Sequence, residues 1–154
     1  MNEHIVVKSL ETDELKKTLE QKTDSGSLRL KRFLAMPDLS RTPHSPIHEK
    51  MESILKIPDF KDFDVIEVPE IVPAKISFDL FDFPLDHPSR SKSDTYYLDE
   101  ENILRTHTTV MWYYYLNDEN IKNKIASGRA VGSFSFGKVY RKDEIDRRHM
   151  NVFH

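Results

Sequence analysis

The chain has no cysteine, which excludes disulfides, thiolate metal centres and a cysteine nucleophile, and a reducing compartment such as the cytoplasm is expected. Glycine is nearly as scarce. Four residues in 154 leave no Gly-rich phosphate loop, no G-x-S-x-G elbow and no strand-linked G-x-G-x-x-G. No apolar run approaches membrane-spanning length, and Met1 is followed by Asn2, Glu3 and His4 in place of a signal-peptide pattern, so no membrane association is expected. Neither charge sign dominates. A formal net charge of -3 argues against a general coat for nucleic acid or a polybasic membrane binder, so contact with a polyanion needs a local basic patch.

What is present suits one globular unit. The chain is 38% hydrophobic, enough to bury a core, and long enough for one ordinary domain. Residues 1–30 are the least core-like part, and residues 1–42 read as a helical or flexible extension. In "ETDELKKTLEQKTDSGS", Leu15 and Leu19 stand four apart among charges, which predicts a short exposed helix, and "TDSGS" predicts a flexible link after it. The fold proper is expected over residues 43–154. In "PHSPIHEKMESILKI", Ser45 can cap a helix whose first turn accepts Pro46. Residues 63–72, "FDVIEVPEIV", read as a strand bent or edged at Pro69. The proline-bearing stretch 76–94 reads as a long irregular connection. "DTYYL" and "NILRT" follow as strands joined by a turn at residues 99–102, "TTVMWYYYL" as a buried helix, and "DENIKNKIASG" as a second helix. The expected class is α+β, with helices flanking a mostly antiparallel sheet.

Three clusters could carry chemistry. If "SFSFGKVYR" is one strand, Ser133, Ser135, Gly137, Val139 and Arg141 share a face of mostly small residues that ends in a guanidinium. Such a fork suits phosphate or carboxylate. The loop beyond it interleaves Lys142, Arg147, Arg148 and His149 with Asp143, Glu144 and Asp146, which fits either a mixed ligand or a solvated hairpin tip. The second cluster is "RTHTT", where His107, Thr108 and Thr109 could line a polar pocket at a strand–helix junction, or Thr108 could simply cap the helix. The third, His44-x-x-x-His48, has imidazole spacing for a metal but no third ligand and a proline between, so no metal site is expected.

Read together, three stretches resemble the catalytic α-subunit family of phenylalanyl-tRNA synthetase, a class II aminoacyl-tRNA synthetase. "FDVIEVPEIV" resembles the motif 1 strand with Pro69 at its characteristic proline. "FPLDHPSRSKSDTYYL" with "ILRTHTT" resembles the segment peculiar to this synthetase, D-H-P-A-R…D-T-F-Y-L and H-T-S. "GKVYRKDEIDRRHMNVFH" resembles motif 2, an arginine-ended strand, a loop and a returning strand.

The resemblance implies roles at matching positions. Arg141 would hold the ATP α-phosphate and the amino-acid carboxylate. Asp143 would stand on the adenine side and His149 near the triphosphate, while His107 and Thr109 would face the amino acid. Two departures stand out: Asp146-Arg147-Arg148-His149 where the family has D-A-T-H, and Val110, Met111 and Trp112 where it has Pro-x-Gln. The implied activity is ATP- and Mg²⁺-dependent activation of phenylalanine and its transfer to tRNA(Phe), in an α₂β₂ assembly with a β subunit. Motif 3 and the ammonium-binding carboxylate do not follow, so an incomplete core, inactive alone, is the expectation. The alternative is a non-catalytic synthetase-like paralogue that binds tRNA or a partner.

Overall fold

The computed structural model describes residues 2–154. Strand β1 (His4–Val6) leads into helix α1 (Leu10–Glu20), and α2 (Ser25–Ala35) follows. Ser9 caps α1 by accepting from the Thr12 amide, and Asp24 caps α2 by accepting from the Ser27 amide at 3.0 Å. "TDSGS" therefore does end α1, but it starts a second helix in place of the expected flexible link. Nor is α1 simply exposed. Leu19 is buried with Leu30 of α2 against Ile71, Tyr96 and Tyr140.

Helix α3 (Pro46–Leu55) forms as its cap sequence predicts, with Ser45 accepting from the His48 amide and Pro46 in the first turn. None of its residues is fully buried. The motif 1 stretch splits at Pro69 into β2 (Asp64–Glu67) and β3 (Ile71–Pro73), since proline cannot donate to a ladder. A single turn of helix, α4 (Ala74–Ser77), opens the irregular connection. Strand β4 (Asn102–Leu104) returns after a turn in which Asp99 Oδ1 accepts from the amides of Glu101 and Asn102, both at 2.8 Å. Helices α5 (Met111–Asn117) and α6 (Glu119–Ala126) come next, the second capped by Asp118. Only part of α5 is buried: Tyr115 is, whereas Trp112, Tyr113 and Leu116 are exposed. The chain closes with β5 (Ser133–Phe134), β6 (Val139–Tyr140) and β7 (Val152–Phe153).

The α+β class holds, but the pairing is more mixed than expected. Strand β2 lies between β1 and β5 with both neighbours parallel, whereas β3–β4 and β6–β7 are antiparallel. Parallel neighbours need long crossovers, and here α1–α3 and the segment from β3 to α6 supply them. "SFSFGKVYR" is two strands, not one, because Gly137 takes φ 149° between them, so the small-residue face does not run unbroken to Arg141.

Alternation across β3–β4 builds two cores. Val72 and Ile103, paired in register, face a cluster with Ile66, Ile76, Phe78, Val110 and Tyr115. Their neighbours Ile71 and Leu104 face the opposite cluster. Beyond β4 the backbone stays paired on both sides. The Arg105 amide donates to the Glu70 carbonyl at 2.9 Å, and the Arg105 carbonyl accepts from the Tyr140 amide at 3.0 Å. This doubly paired residue opens the second candidate cluster and lies against the strand that carries the first.

Candidate active site

Strand β6 delivers Arg141 at the mouth of the final hairpin, where its amide donates to the Asn151 carbonyl at 3.0 Å. From the other side, the extension of β4 delivers His107. The two meet in a cavity of about 180 Å³, lined by His107, Arg141 and Asp143 together with Phe83, His87 and Asp94. Two clusters read separately in the sequence thus form one concave surface.

The Arg141 guanidinium makes no hydrogen bond or ion pair among the described residues, so its donor fork is available to a ligand. His107 is held firmly. Its Nε2 donates to the Ser77 carbonyl at 3.0 Å, which leaves Nδ1 to accept from the Thr109 hydroxyl. Phe81 packs edge-on against the ring. Burial is the main cause that pulls the His107 pKa below its ordinary value; the bond to Ser77 opposes this and the Arg141 cation adds to it. The imidazole is accordingly neutral in this arrangement.

Thr109 is exposed and does not line the cavity; its hydroxyl sits on His107. His149 stands away from the cavity at the hairpin tip. There Asp146 Oδ1 accepts from the amides of Arg148 and His149, at 2.6 and 2.9 Å, and His149 Nδ1 lies 3.0 Å from the same oxygen. Those contacts, the Arg148 amide first, hold the Asp146 pKa below the usual carboxylate range. The departure at residues 146–149 is therefore a closed Asx-type turn with both arginines exposed. Trp112, the other departure, packs edge-on against Tyr115 and does not reach the cavity.

Several contacts that hold the site depend on partners that no motif marks. Lys142 ties the loop to the preceding segment: its amide donates to the Asp94 carbonyl, and its Nζ donates to the Lys92 carbonyl at 2.7 Å. Asn151, in the amide orientation its neighbours require, donates to the carbonyls of Arg141 and Asp143 and accepts from the Tyr96 hydroxyl. Ser77 acts on His107 through its backbone. No spacing rule marks these, because most of the partners are distant in sequence and Asn151 meets Arg141 and Asp143 only once the hairpin closes. For the third cluster, His44 adopts a left-handed φ of 67° and His48 Nδ1 engages the Ser40 carbonyl. No group of three or more metal-ligating side chains occurs among the described residues.

The family model for the tRNA synthetases class II core domain (F) matches residues 33–154. A phenylalanine–tRNA ligase α subunit of Thermotoga neapolitana is 33% identical over 144 residues, which cover 92% of this chain and 42% of that protein. The mitochondrial phenylalanine–tRNA ligase of Saccharomyces cerevisiae is 44% identical over 85 residues, covering 54% of this chain and 17% of that one. An α subunit from Mycoplasmoides gallisepticum is 39% identical over 92 residues, 60% of this chain and 25% of that protein. The chain thus spans less than half the length of each of these relatives. Among solved structures, the pyrrolysyl tRNA synthetase PylSc of Desulfitobacterium hafniense superposes with a TM-score of 0.51 over 97% of this chain and 58% of that one. At 15% identity that likeness concerns the fold alone.

Proposed function

The chain belongs to the class II tRNA synthetase core-domain family, and on that premise we propose that it forms part of the phenylalanine-activating site of a phenylalanine–tRNA ligase α subunit. One observation carries this reading: an unpaired Arg141 shares a cavity with His107 and Asp143. The names of the relatives supply the substrate, and a β subunit and tRNA(Phe) come as partners with it. We read residues 43–154 as catalytic core from motif 1 into motif 2, and residues 1–42 as an extension packed on it. Lack of cysteine suits a reducing compartment such as the cytoplasm. No helix among the described residues is long and apolar enough to cross a membrane.

In the reaction, a carboxylate oxygen of phenylalanine attacks the α-phosphorus of ATP, and the bond to the bridging oxygen breaks to release pyrophosphate. Two anionic groups must first be brought together. A guanidinium forked between them lowers that repulsion and then stabilises charge on the phosphoryl oxygens. Arg141 suits this task because no carboxylate among the described residues pairs with it. Asp143, beside it in the cavity, would take the adenine side, and His149 the triphosphate from the hairpin tip.

Thr109, outside the cavity, would act through His107, whose Nδ1 accepts its hydroxyl proton, so its bearing on the amino acid is indirect. A neutral His107, fixed by Ser77, keeps a second cation out of a site that already holds Arg141. Mg²⁺ would come with the triphosphate, where it neutralises phosphate charge. The described residues form no three-ligand cage for it, so no step here is assigned to protein-bound metal.

The test is equilibrium ATP binding, followed by phenylalanine-dependent ATP–pyrophosphate exchange with the β subunit present. Arg141→Ala should weaken ATP binding about ten- to a hundredfold, the value of charge-assisted hydrogen bonds. Arg141→Lys should recover little, since an ammonium cannot fork between two anions. Equal ATP affinity in all three proteins would remove Arg141 from the site.

A further inference from the structure

We propose that Arg105 is a positioning residue that sets the spacing between the two halves of the candidate site, an inference that rests on the reading above for its catalytic consequence.

Arg105 is 1% exposed and is among the largest fully buried side chains. Burying a guanidinium is costly unless its donors are matched. Here Nε donates to the Lys138 carbonyl at 2.8 Å and Nη1 to the Val68 carbonyl at 3.0 Å. With its two backbone bonds, to Glu70 and Tyr140, the residue grips segment 68–70 on one side and segment 138–140 on the other. His107 lies two residues beyond Arg105, and Arg141 directly follows Tyr140. Both site residues therefore hang from this clamp by very short lengths of chain.

The surroundings are shaped to it. A Cβ on Gly137 would lie 2.4 Å from Arg105 Nη2, so only glycine lets strand β6 approach. Lys138, 2% exposed, carries the grip onward: its Nζ donates to the carbonyls of Phe33, Leu34 and Met36 and pairs with Glu70 at 3.3 Å. Three carbonyls at the end of α2 gain a cation where a helix C-terminus favours one. A hydrophobic residue at position 105 would fill the same volume but leave the Lys138 and Val68 carbonyls without their donor. Volume alone does not explain an arginine here.

The experiment is native-state amide exchange on the full chain, wild type beside Arg105→Lys and Arg105→Met, with ATP affinity measured in parallel. A lysine keeps the charge but loses the fork. In the folded variants the amides of Tyr140 and Arg141 should lose protection by about tenfold or more relative to a core amide such as that of Ile66 on the central strand, the scale of one hydrogen bond to a charged group. ATP affinity should fall with them. Uniform loss over the whole core, or none at Tyr140 and Arg141, would overturn the proposal. If neither variant folds, the wild type decides. A Tyr140 amide that exchanges only through global unfolding supports the clamp, and one that opens locally at low cost refutes it. Selective loss of protection in a chain that binds no ATP in any form would sink the synthetase reading and leave the clamp standing.

Discussion

The hydroxyl of Tyr115 on α5 donates to Asp64 Oδ2 on β2 at 2.6 Å, and both groups are buried. This bond ties the aromatic helix to the parallel sheet. The same carboxylate accepts the Glu3 amide at 2.8 Å, so β1, β2 and α5 meet at one acidic side chain. Tyr115→Phe leaves that carboxylate short of a donor and should destabilise the fold by about 1.5–3 kcal/mol. Urea unfolding followed by circular dichroism measures it; a midpoint equal to wild type would mean that water replaces the hydroxyl without loss.

Alkali should unfold this protein early. Burial, first among the causes, pushes the Tyr114 pKa up to about 12 and raises those of Tyr115 and Tyr140 as well, with the carboxylates of Asp64 and Glu70 adding to the last two. An unfolded tyrosine loses its proton near pH 10. Between that pH and the folded values the unfolded chain binds fewer protons, so stability is complete below about pH 10 and falls above it. Urea midpoints taken from pH 8 to pH 11 should drop, and Tyr140→Phe should flatten the drop.

His107 should report on its neighbours. Its depressed pKa favours the folded state fully above the unfolded value of about 6.5, and that contribution is lost as pH falls toward the folded value. Thr109→Val removes the proton donated to Nδ1, which frees that nitrogen, so the ring should titrate at higher pH. Thr109→Ser should restore the wild-type midpoint. Histidine NMR titrations distinguish the three proteins.

Two glycines with positive φ make a controlled comparison. Gly128 has φ 76° and open space around its missing Cβ, so Gly128→Ala should cost only left-handed backbone strain, about 1–2 kcal/mol. At Gly137 the φ of 149° lies in a region reserved for glycine, and a Cβ would also strike Arg105. Gly137→Ala should therefore cost more than Gly128→Ala, by about 1–3 kcal/mol. Equal unfolding midpoints for the two variants would show that Arg105 yields freely.

Much of the local structure could be read directly. Ser45 before Pro46 marks the start of α3, Pro69 the break between β2 and β3, and Gly128 the end of α6, because caps and proline act within a few residues. The family resemblance singled out His107 and Arg141 by motif, and the fold brings them to one cavity. Other readings were out of reach. The "TDSGS" stretch carries both a break and the Asp24 cap of α2, and a cap is recognisable as one only from the helical pattern that follows it. Leu19 looked like one apolar residue among charges until α2 supplied Leu30 beside it.

The sequence by itself determined helix starts and stops, the α+β class and the residue types available for phosphate and carboxylate chemistry, since each depends on neighbours along the chain. Only the tertiary structure decided which cations are free and which are structural. Arg105, Lys138 and Arg141 are equally polar in sequence, yet the first two spend their donors on buried carbonyls and the third keeps its own. A donor's availability depends on acceptors that arrive from distant segments, and burial makes leaving any of them unmatched too costly.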